Sequence, residues 1–343
     1  MALGERRKRA DLATGFRSWL LENRPSWTAP QVEISRPQSG LSSETVFLDV
    51  TAGDALHRLV ARMPPRGDTL FPDYDLARQF RVQQALAHTD VPVAPPLAHE
   101  TDLRFVGTEF LLMPRVEGRT LTTAPAYVAD GWLFESPPEQ QRAVVRDFVR
   151  VLASIHRLPV SELSVGDLSG GGPDLASSLT YWDDYLTWAT ADEVATKTYR
   201  DALAWCRSNV PGPAPVSLLW GDPQLVNLVF DDNGEPAAVL DWELASLGHA
   251  EADLSWFLTL HEAAAETAGT ELPGFPPREV VIGWFEQDLG RPLQDLAWYD
   301  VFAHVRSGAI VVRIAELMRQ AGHPTSWADD VPQPHHIRRL IGV

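Results

Sequence analysis

The stretch "LLWGDPQLVNLVF", residues 218–230, decides how the rest of the chain is read. It is mostly apolar and has the length of a strand, a turn and a second strand, yet it carries Asp222 and, five positions on, Asn227. The turn-forming "DDNG" (231–234) comes next and marks a hairpin. After it, "AAVLDWE" (237–243) brings a second carboxylate, Asp241, back beside Asn227. Three oxygen-bearing side chains then converge at one end of a small ribbon. Hard oxygen donors suit Mg²⁺, which keeps several waters and shares substrate phosphates. A carboxylate beside them can take the proton of an attacking hydroxyl. The chemistry that needs both is phosphoryl transfer. Either dipeptide alone reads as structure, Gly-Asp as a turn and Asp-Trp as a strand end; the joint spacing points to a site.

Upstream, the pattern is mixed. Residues 5–24 read as an amphipathic helix, with Leu12, Phe16 and Leu20 at four-residue spacing. "SSETVFLDV" (42–50) and "HRLVARM" (57–63) read as strands, the second stopped by Pro64 and Pro65. "DLARQFRVQQALAH" (75–88) has helical periodicity, and "FVGTEFLLMPRVEG" (105–118) reads as one or two buried strands. From 139 onward helices dominate, at 139–158, around "YWDDYLTWA" and "KTYRDALAWCRSNV", and over 250–266, 277–290 and 295–321. The expected fold is α+β and two-lobed: a β-rich lobe over 1–115 and a mainly helical lobe over 116–343.

Composition narrows the function. Hydrophobic residues make up 45% and charged residues 22%, enough apolar material for a sizeable core. Twenty-nine Lys and Arg against 46 Asp and Glu give a formal charge of −17, which argues against nucleic acid or anionic membranes as partners. Cys206 is the only cysteine, so no internal disulfide forms, and a reducing cytoplasm is the expected compartment. No apolar run approaches the roughly 20 residues of a membrane-spanning helix.

The spacing of Asp222, Asn227 and Asp241 matches that of a protein-kinase catalytic loop and its metal-binding Asp. More specifically, "WGDPQLVNLVF…AAVLDWELASLGHAEADLSWF" resembles the catalytic segment of the aminoglycoside phosphotransferase/choline kinase-like family, usually His-Gly-Asp-x-x-x-x-Asn followed by Ile-Asp-Trp-Glu. "SGLSSETVFLDV" resembles that family's nucleotide-covering loop, "LVARMPP" its cation-bearing strand, "FLLMPRVEG" its inter-lobe hinge and "LASIHRL" its central helix. The subgroup most similar is that of the kinase-like domains found with acyl-CoA dehydrogenases. The resemblance implies a kinase-like fold that moves the γ-phosphoryl of ATP or GTP, with Mg²⁺, to a hydroxyl of a small molecule. It implies Asp222 as catalytic base and Asn227 and Asp241 as metal ligands. It further implies Arg62 on the nucleotide phosphates, Ser39, Ser42 and Ser43 over them, and Met113, with Glu117, at the adenine hinge. Glu243 and Asp253 would support the site, whereas His156, His335 and His336 read as structural or surface residues. Three positions depart from the family: Trp220 replaces His, Arg62 replaces the usual Lys, and Gln79 stands where an acidic residue usually pairs with that cation. These departures keep open an alternative, a kinase-like protein that binds nucleotide or metabolite without turnover.

Overall fold

β-branched and aromatic residues at alternate positions build a sheet at the front of the chain. The computed structural model describes residues 6–37, 42–163, 165, 168 and 175–342. Helix α1 (Arg9–Asn23) leads into β1 (Gln31–Ser35), β2 (Glu44–Ala52) and β3 (Ala55–Met63). Helix α2 (Leu76–Leu86), β4 (Ala98–Glu100) and β5 (Phe110–Pro114) follow. The strands form one antiparallel sheet in the order β1-β2-β3-β5-β4. Along β2, Val46, Leu48 and Val50 turn inward and meet Leu12, Phe16 and Trp19 of α1 in a shared apolar cluster. The period of two on the strand thus meets the four-residue stripe on the helix.

The remaining chain is mainly helical. It runs through α3 (Pro138–His156), α4 (Leu175–Ala189), α5 (Glu193–Ser208), β6 (Val216–Leu219), β7 (Leu228–Phe230), β8 (Pro236–Val239) and β9 (Ser246–His249). Then come α6 (Ala250–Ala268), α7 (Arg278–Leu289), α8 (Leu296–Gln320) and α9 (Gln333–Ile341). One apolar cluster joins α3, α6 and α7 to β6–β8; a second joins α4, α5, α8 and α9. Leu70 and Phe71, from the segment between β3 and α2, belong to the second cluster. There the Tyr185 hydroxyl donates to the Leu70 carbonyl at 2.7 Å and Arg313 Nε to the Thr69 carbonyl at 2.8 Å. The chain therefore has the expected two-lobed α+β architecture, its front part tied to the helical part there and again through α2, whose Val82 and Leu86 join the first cluster.

Four elements escape the sequence reading. Strand β1 is half exposed, β4 has only three residues, α9 is short, and β9, "SLGH", is too brief and glycine-containing to signal a strand. Within 105–118 only Phe110–Pro114 is a strand; Phe105 and Val106 pack under α1 instead. The opening segment also differs from a single ribbon. Strand β6 pairs with β9 and β7 with β8, so β6 and β7 are not partners. The cause lies between them. Gly221 takes φ 88, and a short 3-10 turn over Leu225–Asn227 diverts the chain before β7 begins.

Candidate active site

The turn after β6 is fixed from behind. Gly221 sits where a Cβ would lie 2.1 Å from the Leu244 carbonyl oxygen, so its positive φ and its missing side chain are both required. Asp253, at the start of α6 and wholly buried, accepts the backbone N–H of Trp220 at 2.8 Å and of Gly221 at 3.2 Å. His156 Nε2 lies 3.3 Å from the same carboxylate, and its Nδ1 is 3.1 Å from the Ser217 hydroxyl, as a packed structural histidine would be. Trp220 is fully buried, and its indole donates to the Leu240 carbonyl at 2.7 Å. Two residues that flank the catalytic-type segment in sequence thereby shape its turn from inside the core.

Asp222 projects from this turn and is held by three donors. Oδ1 accepts from Gln224 Nε2 at 2.6 Å and from the Trp256 indole at 2.8 Å; Oδ2 accepts from Asn227 Nδ2 at 2.8 Å. Burial, then the nearby charge of Asp241, raise its pKa, while the three donors oppose the rise. The amide N of Asn227 also reaches the Asp222 carbonyl at 3.1 Å, which leaves its Oδ1 outside this network. Asp241 closes the group. It adopts φ 62, in the left-handed region, at the end of β8 and just before the turn Trp242–Leu244.

A cation already lies against it. Arg62, on β3, places Nη2 2.5 Å from Asp241 Oδ1 and 3.2 Å from Glu243 Oε2, and donates to the Ser43 hydroxyl at 3.0 Å. The Asp241 contact is a charge pair rather than an aligned hydrogen bond, so Oδ1 stays buried with no hydrogen-bond partner. Burial pulls the Arg62 pKa down, but Asp241 and Glu243 outweigh it and the net shift is upward. Gln79 is buried on α2 with its Oε1 unpaired, and Arg62 makes its ion pairs across the cleft instead. From the same helix, Arg78 donates to the Glu243 carbonyl at 2.9 Å.

Glu243 is more central than a cap. Burial, then Asp241, push its pKa up to about 7 against the pull of Arg62. A free Glu deprotonates near 4.5, so the folded chain binds more protons between those values. The associated stability is full below pH 4.5 and is lost as pH rises through 7. Glu243→Gln is expected to melt at a temperature that falls less steeply across that window, measured by thermal denaturation without divalent cations. An unchanged slope would move the effect to another group.

Most of the residues expected from sequence converge here. Asp222 and Asn227 are hydrogen-bonded to each other, Arg62 joins Asp241, Glu243 and Ser43, and the charge of Asp241 is felt at Asp222; Ser43 also donates to Glu243 Oε2 at 3.3 Å, with Ser42 beside it in the chain. Ser39 lies outside the described residues. Met113 buries its side chain among Leu76, Ala94 and Leu111, in a separate apolar cluster; only its backbone, past the last β4 pairing at Leu112, is placed as a hinge would be. Glu117 is exposed and pairs with Arg58 at 3.0 Å. His335 is exposed, and His336 pairs with Glu266. Trp256, Gln224 and Arg306 were missed; Trp256 stands three residues after Asp253, one helical turn on, a spacing that could have found it.

The oxygen set fits a hard divalent cation. Asp241 Oδ1 makes no aligned hydrogen bond, its one close partner being Arg62 Nη2 at 2.5 Å, and Asn227 keeps its amide oxygen while donating through its nitrogen. Among the described residues no group of three or more His, Cys, Asp or Glu could hold a metal ion. Mg²⁺ takes one or two protein oxygens and fills its shell with waters and phosphate, a demand that Asn227 and Asp241 would meet.

The sequence profile of the phosphotransferase enzyme family matches residues 33–274. The probable acyl-CoA dehydrogenase IBR3 of Arabidopsis thaliana is 28% identical over 234 residues, 66% of this chain but 28% of that protein. The chain thus spans little more than a quarter of the length of the curated relatives it matches. Among solved structures, a candidate aminoglycoside phosphotransferase of Ralstonia eutropha aligns over 95% of this chain and 94% of its own, at 24% identity and a TM-score of 0.73. A thermostable mutant of aminoglycoside phosphotransferase APH(4)-Ia, in complex with ADP and hygromycin B, aligns over 95% and 99%, at 15% identity and a TM-score of 0.60. These two likenesses show the fold.

Proposed function

The chain belongs to the phosphotransferase enzyme family, and from that membership we propose that it moves the γ-phosphoryl group of ATP or GTP to a hydroxyl of a small molecule. The observation that carries this reading is Asp222 itself, a half-buried carboxylate held by three donors within reach of the charge of Asp241. In the proposed step the bond from the γ-phosphorus to the β-phosphate oxygen breaks and a bond to the acceptor oxygen forms. The acceptor proton passes to Asp222. Gln224, Trp256 and Asn227 aim that carboxylate, since each donates to one of its oxygens. Asn227 and Asp241 are the residues that would hold Mg²⁺. When bound, the ion supplies positive charge to the phosphate oxygens. Arg62 remains charged without a carboxylate partner, so it can follow the phosphates from Asp241. Ser42 and Ser43 sit at its edge. Residues 1–115 would form the nucleotide side of the cleft and 116–343 the acceptor side.

The acceptor class rests on an assay. Choline, glucose and an aminoglycoside offered with ATP or GTP would test the reading by nucleotide consumption; no acceptor-dependent consumption with any of them would count against phosphotransfer. Binding is expected to depend on Mg²⁺. ATP or GTP with Mg²⁺ should raise the melting temperature, and the rise should shrink with EDTA, because ligand that binds the folded state alone stabilises it. Equal stabilisation in EDTA would remove Asn227 and Asp241 from metal binding. One observation favours the second reading, nucleotide binding without turnover: Arg62 already neutralises Asp241 at 2.5 Å. Tight binding with no transfer to any acceptor would select it.

A further inference from the structure

We infer that Arg306 is a positioning residue for the base: from α8 it fixes the Gly221–Asp222 turn through the Gly221 carbonyl and through the Trp256 indole. The inference rests on the phosphotransfer reading above. Arg306 stands 85 residues from Gly221, and its Nη2 donates to that carbonyl at 2.8 Å. Its guanidinium lies 4.3 Å from the Trp256 ring centroid and 5.4 Å from that of Trp182. The Trp256 indole in turn donates to Asp222 Oδ1 at 2.8 Å. Arg306 thus touches the backbone before the base and the ring that aims it.

The peptide unit is held from both ends. Asp253 of α6 takes the Trp220 and Gly221 N–H groups, and Arg306 of α8 takes the Gly221 oxygen. Arg306 is 7% exposed and makes no ion pair with a carboxylate among the described residues. Its Nε has no hydrogen-bond partner. Asp253, Asp222 and Tyr181 face it, and only their more distant charges support it; burial lowers its pKa. An apolar side chain would fill this space at lower desolvation cost. What Arg alone supplies is a planar cation that lies on an indole while its fork donates sideways. Lys retains the charge and loses that combination, so Arg306→Lys separates aim from electrostatics.

The test has two arms on the intact chain, with Arg306→Lys and Trp256→Phe. Amide hydrogen exchange comes first. Arg306→Lys is expected to quicken exchange at residues 220–227 and leave β2 and β3 unchanged; unchanged exchange in the loop overturns the proposal without reference to activity. The second arm follows MgATP consumption with choline, glucose and an aminoglycoside, water serving as the reference acceptor. Each variant is expected to lower kcat by about 10²-fold, the cost of a small misplacement of a catalytic group, with the KM for MgATP little changed. The double variant should lose less than the product of the two single losses, since both act through Trp256 while Arg306 also holds the Gly221 carbonyl. Independent, multiplying losses overturn the relay through Trp256. A native chain that turns over while Arg306→Lys keeps full kcat overturns this proposal alone. A native chain and Asp222→Asn that are equally inert with every acceptor overturn the phosphotransfer reading and this proposal with it.

Discussion

Asp222→Asn is expected to lower turnover on a true acceptor by about 10²–10⁴-fold, the usual worth of a positioned general base. The substitution keeps size and shape but cannot take the acceptor proton. It also presents an NH₂ group to Asn227 Nδ2, which now donates to Asp222 Oδ2 at 2.8 Å. Two donors cannot face each other, so the Asn227 amide must turn and spend its oxygen on residue 222. That oxygen is the one proposed for Mg²⁺. Nucleotide affinity should therefore be measured with and without the ion. Without Mg²⁺ it is expected to match the native chain's, because Asp222 is assigned to the acceptor; with Mg²⁺ it should weaken modestly. Single-turnover assays and nucleotide titrations separate the two effects. A variant that keeps most of its turnover would remove Asp222 from the role of base.

Trp220→Ala is expected to destabilise the fold by about 3–5 kcal/mol, as a large-to-small change in a closed core. The indole is fully buried, packs 5.9 Å from Phe148 and 6.1 Å from Trp242, and fills the floor under the turn. Its loss also strands the Leu240 carbonyl, which accepts from it one residue before Asp241. Trp220→His should cost less, because a ring and an N–H donor remain. Denaturant unfolding of the three proteins would rank them. Near-equal midpoints for native chain and Trp220→Ala would mean the floor tolerates a void. Phosphotransfer gained by Trp220→His, where the native chain has none, would mark Trp220 as an inactivating replacement.

Much of this site was legible because its members lie close in sequence or carry strong turn signals. Gly-Asp, Asn five positions on and Asp after a DDNG turn fix each other's positions through local backbone alone. Arg62 was placed on a strand by the apolar run that two prolines end, and in the site by the resemblance of "LVARMPP" to the family's cation-bearing strand. Arg306 could not be found that way. It sits in the middle of the 25-residue helix α8, surrounded by apolar neighbours, and gains its meaning only when that helix crosses behind Gly221. Glu243 was underweighted for a related reason: its neighbours Arg62 and Ser43 come from strands some 180 to 200 positions earlier. The pairing of β6 with β9 was hidden because four residues containing a glycine carry little strand signal. Gln79 illustrates the reverse. The sequence suggested a poorly aimed cation, yet Arg62 is aimed by Asp241, Glu243 and Ser43.

The short passage through Thr69, Leu70 and Phe71 has a mechanical consequence. It belongs to the front lobe by sequence, but its carbonyls are gripped by Arg313 and Tyr185 and its side chains are embedded among α4 and α8. A second seam runs through Val82, Leu86 and Val91, which are buried in the cluster of α3 and β6–β8, so the front half is stitched to the helical half in two places. The Arg62 and Arg78 contacts to residues 241–243 add polar ties between the same two halves. With the polar ties broken, the two apolar seams still join the halves, so the placement of the turn that carries Asp222 does not depend on the Arg62 contacts alone.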